Sequence, residues 1–150
     1  MTSGQDEEPV TPTAHALPTP IRPTDEILFR QIHPSLLQDG VISSAVFIPT
    51  MNDDGKLSVD RSSKTTTTAS FDLYIGSGRA SVAVCGVTVE EYDKENIPCY
   101  PDPLEAMEIL HANPAHAYAD FNAFGTNQRR KLAQRLRNVA TVRGFLHRIG

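Results

Sequence analysis

The clearest pattern in this sequence is an apolar stripe near its C-terminus, at the spacing of an amphipathic helix. The stripe residues recur at i, i+4, i+7 and i+8 and are Leu132, Leu136, Val139 and Ala140. Thr126 belongs to a residue type that caps helices, and Gly144 is suited to end one. We therefore predict a helix from Thr126 to about Arg143 whose apolar side packs against other elements.

Upstream of this helix, short apolar runs alternate with turn residues, which is typical of strands. The runs are Ile27–His33, Val41–Ile48, Leu57–Val59, Ser81–Val89 and Ala115–Phe121. Turns such as Asp39-Gly40 separate them, and the nearly continuous apolar run Ser81–Val89 suits a central strand. The pattern predicts an α+β fold, a small mostly antiparallel sheet with short helices and the C-terminal helix packed on it.

Three shorter segments favour brief helices between these strands. Thr68 is suited to cap a helix with Phe71 on its apolar side, and the others are Glu90–Glu95 and Leu104–Ala112. Prolines at 98, 101 and 103 predict a loop between the second and third of these helices.

The first 25 residues are rich in proline and threonine and poor in large apolar side chains. Such a composition predicts a disordered tail before a single domain at residues 26–150. Met1–Glu8 is acidic and lacks the basic start and apolar stretch of a secretory signal, so we expect a cytoplasmic protein. No apolar run approaches the roughly 18 residues of a membrane span, and no membrane association is expected.

Cysteine and histidine usage does not indicate a metal or cofactor site. Cys85 lies in an apolar run and is expected to be buried, while Cys99 follows Pro98 in the predicted loop. His111 and His116 do not share a regular ligand spacing on one helix. We expect no metal and no cofactor.

Charge is distributed very unevenly along the chain. Residues 126–150 contain seven basic residues and no acid, whereas residues 27–125 contain six basic and thirteen acidic ones. The basic segment either neutralises the acidic body or forms a binding surface. No aromatic residue is interleaved before Phe145, so a protein partner is favoured over nucleic acid. The sequence predicts an accessory protein that binds an acidic partner through Arg129, Arg130 and Arg137.

Arg30 stands out as an arginine inside an apolar strand. Such a side chain must be paired or bind an anion, and Asp72 and Asp120 are candidate partners for a salt bridge. Strand alternation places Arg30 and His33 on opposite faces.

An enzymatic alternative places an anionic substrate against Arg30. His33 would then be the proton carrier, with Ser44 as a third catalytic residue, and Ser58 and His116 as neighbouring binding residues. The arrangement of an arginine on a first strand and serines on later strands loosely resembles ADP-ribosyltransferases. That resemblance implies a dinucleotide held by the arginine or histidine. Glu90-Glu91 is the one candidate for the family's glutamate pair.

A set of short motifs resembles a group of small bacterial proteins without assigned activity. The motifs are Arg30-Gln-Ile-His-Pro-Ser35, Asp39-Gly40, Ser43-Ser44, Phe47, Pro49, Leu57-Ser-Val59, Val87-Thr-Val89, Asp102-Pro103 and Arg143-Gly144. The resemblance covers most of residues 27–146 and implies neither a reaction nor a partner.

Overall fold

The computed structural model describes residues 18–106 and 111–149. Its strands are β1 (Ile27–Ile32), β2 (Leu37–Gln38), β3 (Val41–Ile42), β4 (Lys56–Arg61), β5 (Ala83–Thr88), β6 (Cys99–Pro101), β7 (His116–Asp120) and β8 (His147–Arg148). Its helices are α1 (Thr67–Gly76), α2 (Val89–Lys94) and α3 (Thr126–Arg143). Six strands form one sheet in the order β6-β7-β4-β1-β5-β8, and β2 pairs with β3 in a separate hairpin. All of these pairings are antiparallel, so the predicted α+β fold is confirmed.

The larger part of the core lies between one face of the sheet and α3. Leu28 and Ile32 of β1 alternate with residues of the other face and contribute to this core. Three apolar side chains of the predicted stripe on α3 are buried with them: Leu132, Leu136 and Ala140. Burial of these groups is the main stabilisation of the sheet–helix contact, at about 25 cal/mol per Å² of apolar surface.

On the opposite face of the sheet, α1 packs against the middle strands. Phe29 of β1 and Val84 of β5 form a small cluster there with Phe71 of α1. Thr66 caps α1, its Oγ1 accepting a hydrogen bond from the Ala69 amide at 3.1 Å, so the prediction of Thr68 as the cap is wrong.

The predicted C-terminal helix has the expected bounds, but its first turn is capped differently. Gly125 rather than Thr126 is the N-cap, and its amide donates to the side-chain oxygen of Gln128 at 3.2 Å. Gly144 ends the helix with a φ of +87°, a conformation that favours glycine.

The predicted strand Val41–Ile48 is wrong after its second residue. Ser43 caps a 3-10 helix at Ser44–Phe47, with its Oγ accepting from the Ala45 amide at 3.2 Å. Local capping by serine competes with a sheet ladder, and Val46 and Phe47 are buried in the core beside α3.

The region between α2 and β7 also differs from the prediction. Cys99 lies in β6 and is buried, not in a loop. Leu104 and Asn113 form an antiparallel bridge, with amide–carbonyl distances of 2.9 and 2.8 Å in the two directions. The helix predicted over Leu104–Ala112 is therefore not formed at its described ends, and residues 107–110 lie outside the described part.

The chain before β1 contacts the folded body. The Ile21 amide donates to the Cys99 carbonyl at 2.7 Å, and the Glu90 amide donates to the Thr24 carbonyl at 3.0 Å. The packed chain thus includes residues of the predicted tail, whose residues 1–17 lie outside the described ranges. Among the described residues, no helix is long and apolar enough to cross a membrane.

Candidate functional site

Arg30 lies where β1 and β4 separate. The two strands pair at Leu28 and Phe29, and beyond this point the Arg30 guanidinium lies between them. Its Nε donates to the Val46 carbonyl at 2.8 Å, and its Nη1 donates to the Ser58 carbonyl at 3.0 Å. The expected salt bridge to Asp72 or Asp120 is therefore wrong, because the side chain replaces the missing ladder bonds with bonds to backbone oxygens.

A polar groove of about 520 Å³ lies over this separation. Three of the candidate residues line it: Arg30, Ser58 and His116. The other residues that line it come from β1, β4, α1 and the loops beside them: Phe29, Gln31, Thr50, Asp53, Val59, Asp60, Tyr74, Arg79 and Leu104. We call this site the sheet groove.

His116 is oriented by the chain after β6. Its Nδ1 lies 3.0 Å from the Asp102 backbone carbonyl oxygen and 3.2 Å from the Asp102 carboxylate oxygen Oδ2. Both partners are acceptors, so Nδ1 carries the proton and Nε2 is an acceptor in the neutral ring. His116 therefore fastens β7 to this loop and also presents an imidazole edge to the sheet groove.

His33 and Ser44 lie away from the sheet groove. His33 caps the 3-10 turn Pro34–Leu36, where its Nδ1 accepts from the Ser35 amide at 3.1 Å and lies 2.8 Å from Ser35 Oγ. Ser44 lines a separate depression of about 460 Å³, which it shares with Ser43 and Arg137. The structure thus brings Arg30, Ser58 and His116 together but does not bring His33 or Ser44 to them.

Two of the α3 arginines form ion pairs within the molecule. Arg135 Nε lies 2.9 Å from Glu95, and Arg143 binds both carboxylate oxygens of Glu91, at 2.8 and 3.0 Å. Burial raises the pKa of Glu91. The hydrogen bonds and charge of Arg143, and the hydrogen bonds from Thr88, lower this pKa by more than burial raises it. The net pKa of Glu91 is lowered, which favours the ion pair.

The three predicted binding arginines differ in their surroundings. Arg129 Nε donates to the Phe124 carbonyl at 2.8 Å, which turns this side chain toward the body. Arg137 Nη1 donates to the Ile42 carbonyl at 3.2 Å, which holds it at the rim of the depression. Arg130 is exposed, and it lies seven residues before Arg137 on the same flank of α3.

Comparisons with models of known protein families, with curated proteins and with solved structures give no significant match. The resemblance to small bacterial proteins therefore stays a prediction. Within residues 18–106 and 111–149, no group of three or more His, Cys, Asp and Glu side chains is arranged to hold a metal ion.

One polar network at the sheet groove has no counterpart in the sequence-based prediction. Ser81 Oγ donates to Gln31 at 2.8 Å, and Gln31 Nε2 donates to Ser70 at 3.0 Å. Ser70 Oγ and Asn113 Nδ2 both donate to Asp60, at 2.6 and 2.9 Å. In the sequence, the only indication of this network was Asp60, which strand alternation places on the same face of β4 as Ser58.

Proposed function

We propose that this protein is a cytoplasmic, non-enzymatic accessory protein that binds an acidic segment of a partner protein. The binding surface consists of Arg130, Arg137 and the adjoining depression beside Val41, Ser43 and Ser44. We call it the α3 flank. The observation that carries the proposal is the position of Arg137, which is anchored at the rim of that depression.

The spacing of the two arginines supports a linear acidic ligand. Seven residues correspond to almost two complete helical turns, so Arg130 and Arg137 are about 10 Å apart along α3 and project from one side. Two carboxylates of one segment therefore reach both guanidinium groups. Arg137 uses Nε on the Asn138 side chain and Nη1 on the Ile42 carbonyl, and a guanidinium has about five N–H donors, so further donors remain for a carboxylate.

The depression adds a contact for an uncharged side chain. Val41, at the tip of the β2–β3 hairpin, is 59% exposed and lies on its wall. Ser43 and Ser44 supply hydroxyl groups nearby. Asp39 also lines the depression, so the acidic groups of the partner belong at the α3 end and its apolar residue at the hairpin end.

The other basic residues of the C-terminal segment support this choice of surface because many have partners within the molecule. Arg135 and Arg143 are neutralised by Glu95 and Glu91. The excess positive charge left for a partner is therefore concentrated on fewer residues than the sequence indicates.

The proposal is tested by measuring the affinity of the full chain for a fluorescent oligoglutamate peptide. The double variant Arg130→Gln with Arg137→Gln is expected to bind about tenfold more weakly, a loss typical of two exposed ion pairs. The matched control is Lys131→Gln with Arg148→Gln, which removes the same charge away from the α3 flank. The control is expected to bind as the wild type does.

Two results contradict this proposal. Equal weakening in both double variants would mean that the peptide senses net charge and not the α3 flank. Tighter binding of a single-stranded oligonucleotide than of oligoglutamate, lost in the Arg130 and Arg137 variant, would instead assign the surface to nucleic acid.

A further inference from the structure

A second binding site is indicated by the sheet groove, which shares no lining residue with the α3 flank. We propose that the sheet groove binds a small molecule that carries one oxyanion, a carboxylate or a phosphate ester, on a compact apolar body. This inference does not depend on the proposed function.

The contact with an anion in the sheet groove is assigned to Arg79, because both carboxylates that line the groove are held by neighbouring donors. The carboxylate of Asp53 accepts from the Thr50 amide and hydroxyl, at 2.9 and 2.6 Å, and Asp60 accepts from two side chains of the polar network. By contrast, the Arg79 guanidinium has no hydrogen-bond acceptor within the described ranges and stacks over Tyr74, 5.6 Å from the ring centroid. Its guanidinium is therefore available to a ligand oxyanion.

The floor of the sheet groove supplies a hydroxyl donor and a fixed imidazole ring. Ser58 is exposed on β4, and His116 lies on the neighbouring strand β7. His116 pairs with Asp60, which follows Ser58 by two residues on β4. Diagonal neighbours on one sheet face are close enough to contact one ligand. Asp102 fixes the ring of His116, so the ring is already in place to contact the apolar part of the ligand and requires little ordering on binding.

The remaining wall is apolar and sets the size of the ligand. Phe29, Tyr74 and Leu104 lie on it, and the volume of about 520 Å³ falls within the usual range for small-molecule sites. An aromatic or short aliphatic body fits against this wall while the oxyanion contacts Arg79. An inorganic anion would leave the apolar wall of the groove in contact with water. The apolar part of the ligand therefore contributes to affinity by covering this wall.

Phenyl phosphate and benzoate are suitable probes, with phenol as the uncharged comparison. Titration of the full chain is expected to shift the imidazole resonances of His116 with both anions and to give a weaker Kd for phenol. Arg79→Gln is expected to weaken phenyl phosphate binding about tenfold. The matched control is Arg148→Gln, which also removes an exposed arginine stacked over a ring and is expected to leave the Kd unchanged.

A second variant tests the floor of the groove without changing charge. Ser58→Val keeps a strand-forming residue at an exposed position, so the sheet is retained while the floor loses its hydroxyl. It is also expected to weaken phenyl phosphate binding. The inference is overturned if neither anion shifts His116 at millimolar concentration, if phenol binds as tightly, or if Arg148→Gln weakens binding as much as Arg79→Gln. None of these outcomes bears on the α3 flank, whose arginines lie outside the sheet groove.

Discussion

The guanidinium of Arg30 binds the backbone carbonyl of Ser58 across the gap between β1 and β4, with Nη1 3.0 Å from the oxygen. The same side chain binds the Val46 carbonyl through Nε. One arginine thus joins two strands and the 3-10 helix on which α3 packs. This arrangement gives Arg30 a structural role and also shapes the sheet groove above it.

Replacing Arg30 is expected to destabilise the fold. Arg30→Met keeps much of the apolar stem but removes the donor from the part-buried Val46 carbonyl and from the exposed Ser58 carbonyl, so we expect a loss of about 1–3 kcal/mol. Urea unfolding followed by circular dichroism measures the change. Arg79→Met is the control, and because that side chain is exposed it is expected to change stability by about 0.5 kcal/mol or less. Equal stability of Arg30→Met and the wild type would refute the structural role.

Tyr92 is a site where a substitution is expected to stabilise the protein. Its hydroxyl is the one buried side-chain polar atom without a protein hydrogen-bond partner among the described residues, and burial raises the pKa of this phenol. Tyr92→Phe retains the ring and removes the unpaired group, so the free energy of unfolding is expected to rise by about 1 kcal/mol. Thermal and urea unfolding measure it. A clear loss of stability would mean that the hydroxyl has a partner after all.

The two cysteines are expected to be unreactive in the folded protein. Burial raises the pKa of both Cys85 and Cys99 to about 12, so almost no thiolate is present at neutral pH. Labelling with a disulfide reagent is expected to proceed at the rate of unfolding and to become fast in urea. Ala45→Cys, at an exposed position, provides the comparison and should label at once. Rapid labelling of the wild type in buffer would contradict the buried placement.

The ion pair between Glu91 and Arg143 predicts a loss of stability in acid. The pKa of Glu91 in the folded state lies below its ordinary value of 4.5, because the bonds and charge described above outweigh the effect of burial. The contribution of ionised Glu91 to the free energy of unfolding is therefore fully present above its unfolded-state pKa. This contribution is lost as the pH falls through its lower folded-state pKa.

Unfolding free energies measured from about pH 6 down to pH 3 test this dependence. Glu91→Gln is expected to lower stability at pH 6 and to reduce the slope of the decline below pH 4.5. Glu105→Gln, which changes an exposed carboxylate, is the control and should keep the slope of the wild type. An unchanged slope in Glu91→Gln would show that this pair does not contribute to the pH dependence.

Local periodicity allowed some elements to be predicted from the sequence. The alternation from Ile27 to Ile32 and the helical stripe ending at Ala140 are set by which side chains face the core, so the period is visible in the chain itself. The 3-10 helix after Ser43 was missed because its apolar residues suit a strand equally well. There a local cap and burial beside α3 decide the conformation.

The partners of the polar residues required the tertiary structure. Arg30 was expected to meet a carboxylate, yet its acceptors are backbone oxygens 16 and 28 residues away in sequence. Asp60 and Asn113 are likewise 53 residues apart. The sequence shows that a polar side chain within the core must have hydrogen-bond partners. For Arg30, the separation of β1 from β4 determines that these partners are backbone carbonyls.

The most direct test of the account is a map of amide chemical shifts as unlabelled oligoglutamate is added to the full chain. We predict that the largest changes cluster at the α3 flank, at Val41, Ser43, Ser44, Arg130 and Arg137. Changes centred on Ser58 and His116 in the sheet groove, or spread evenly over the basic C-terminal segment, would contradict it.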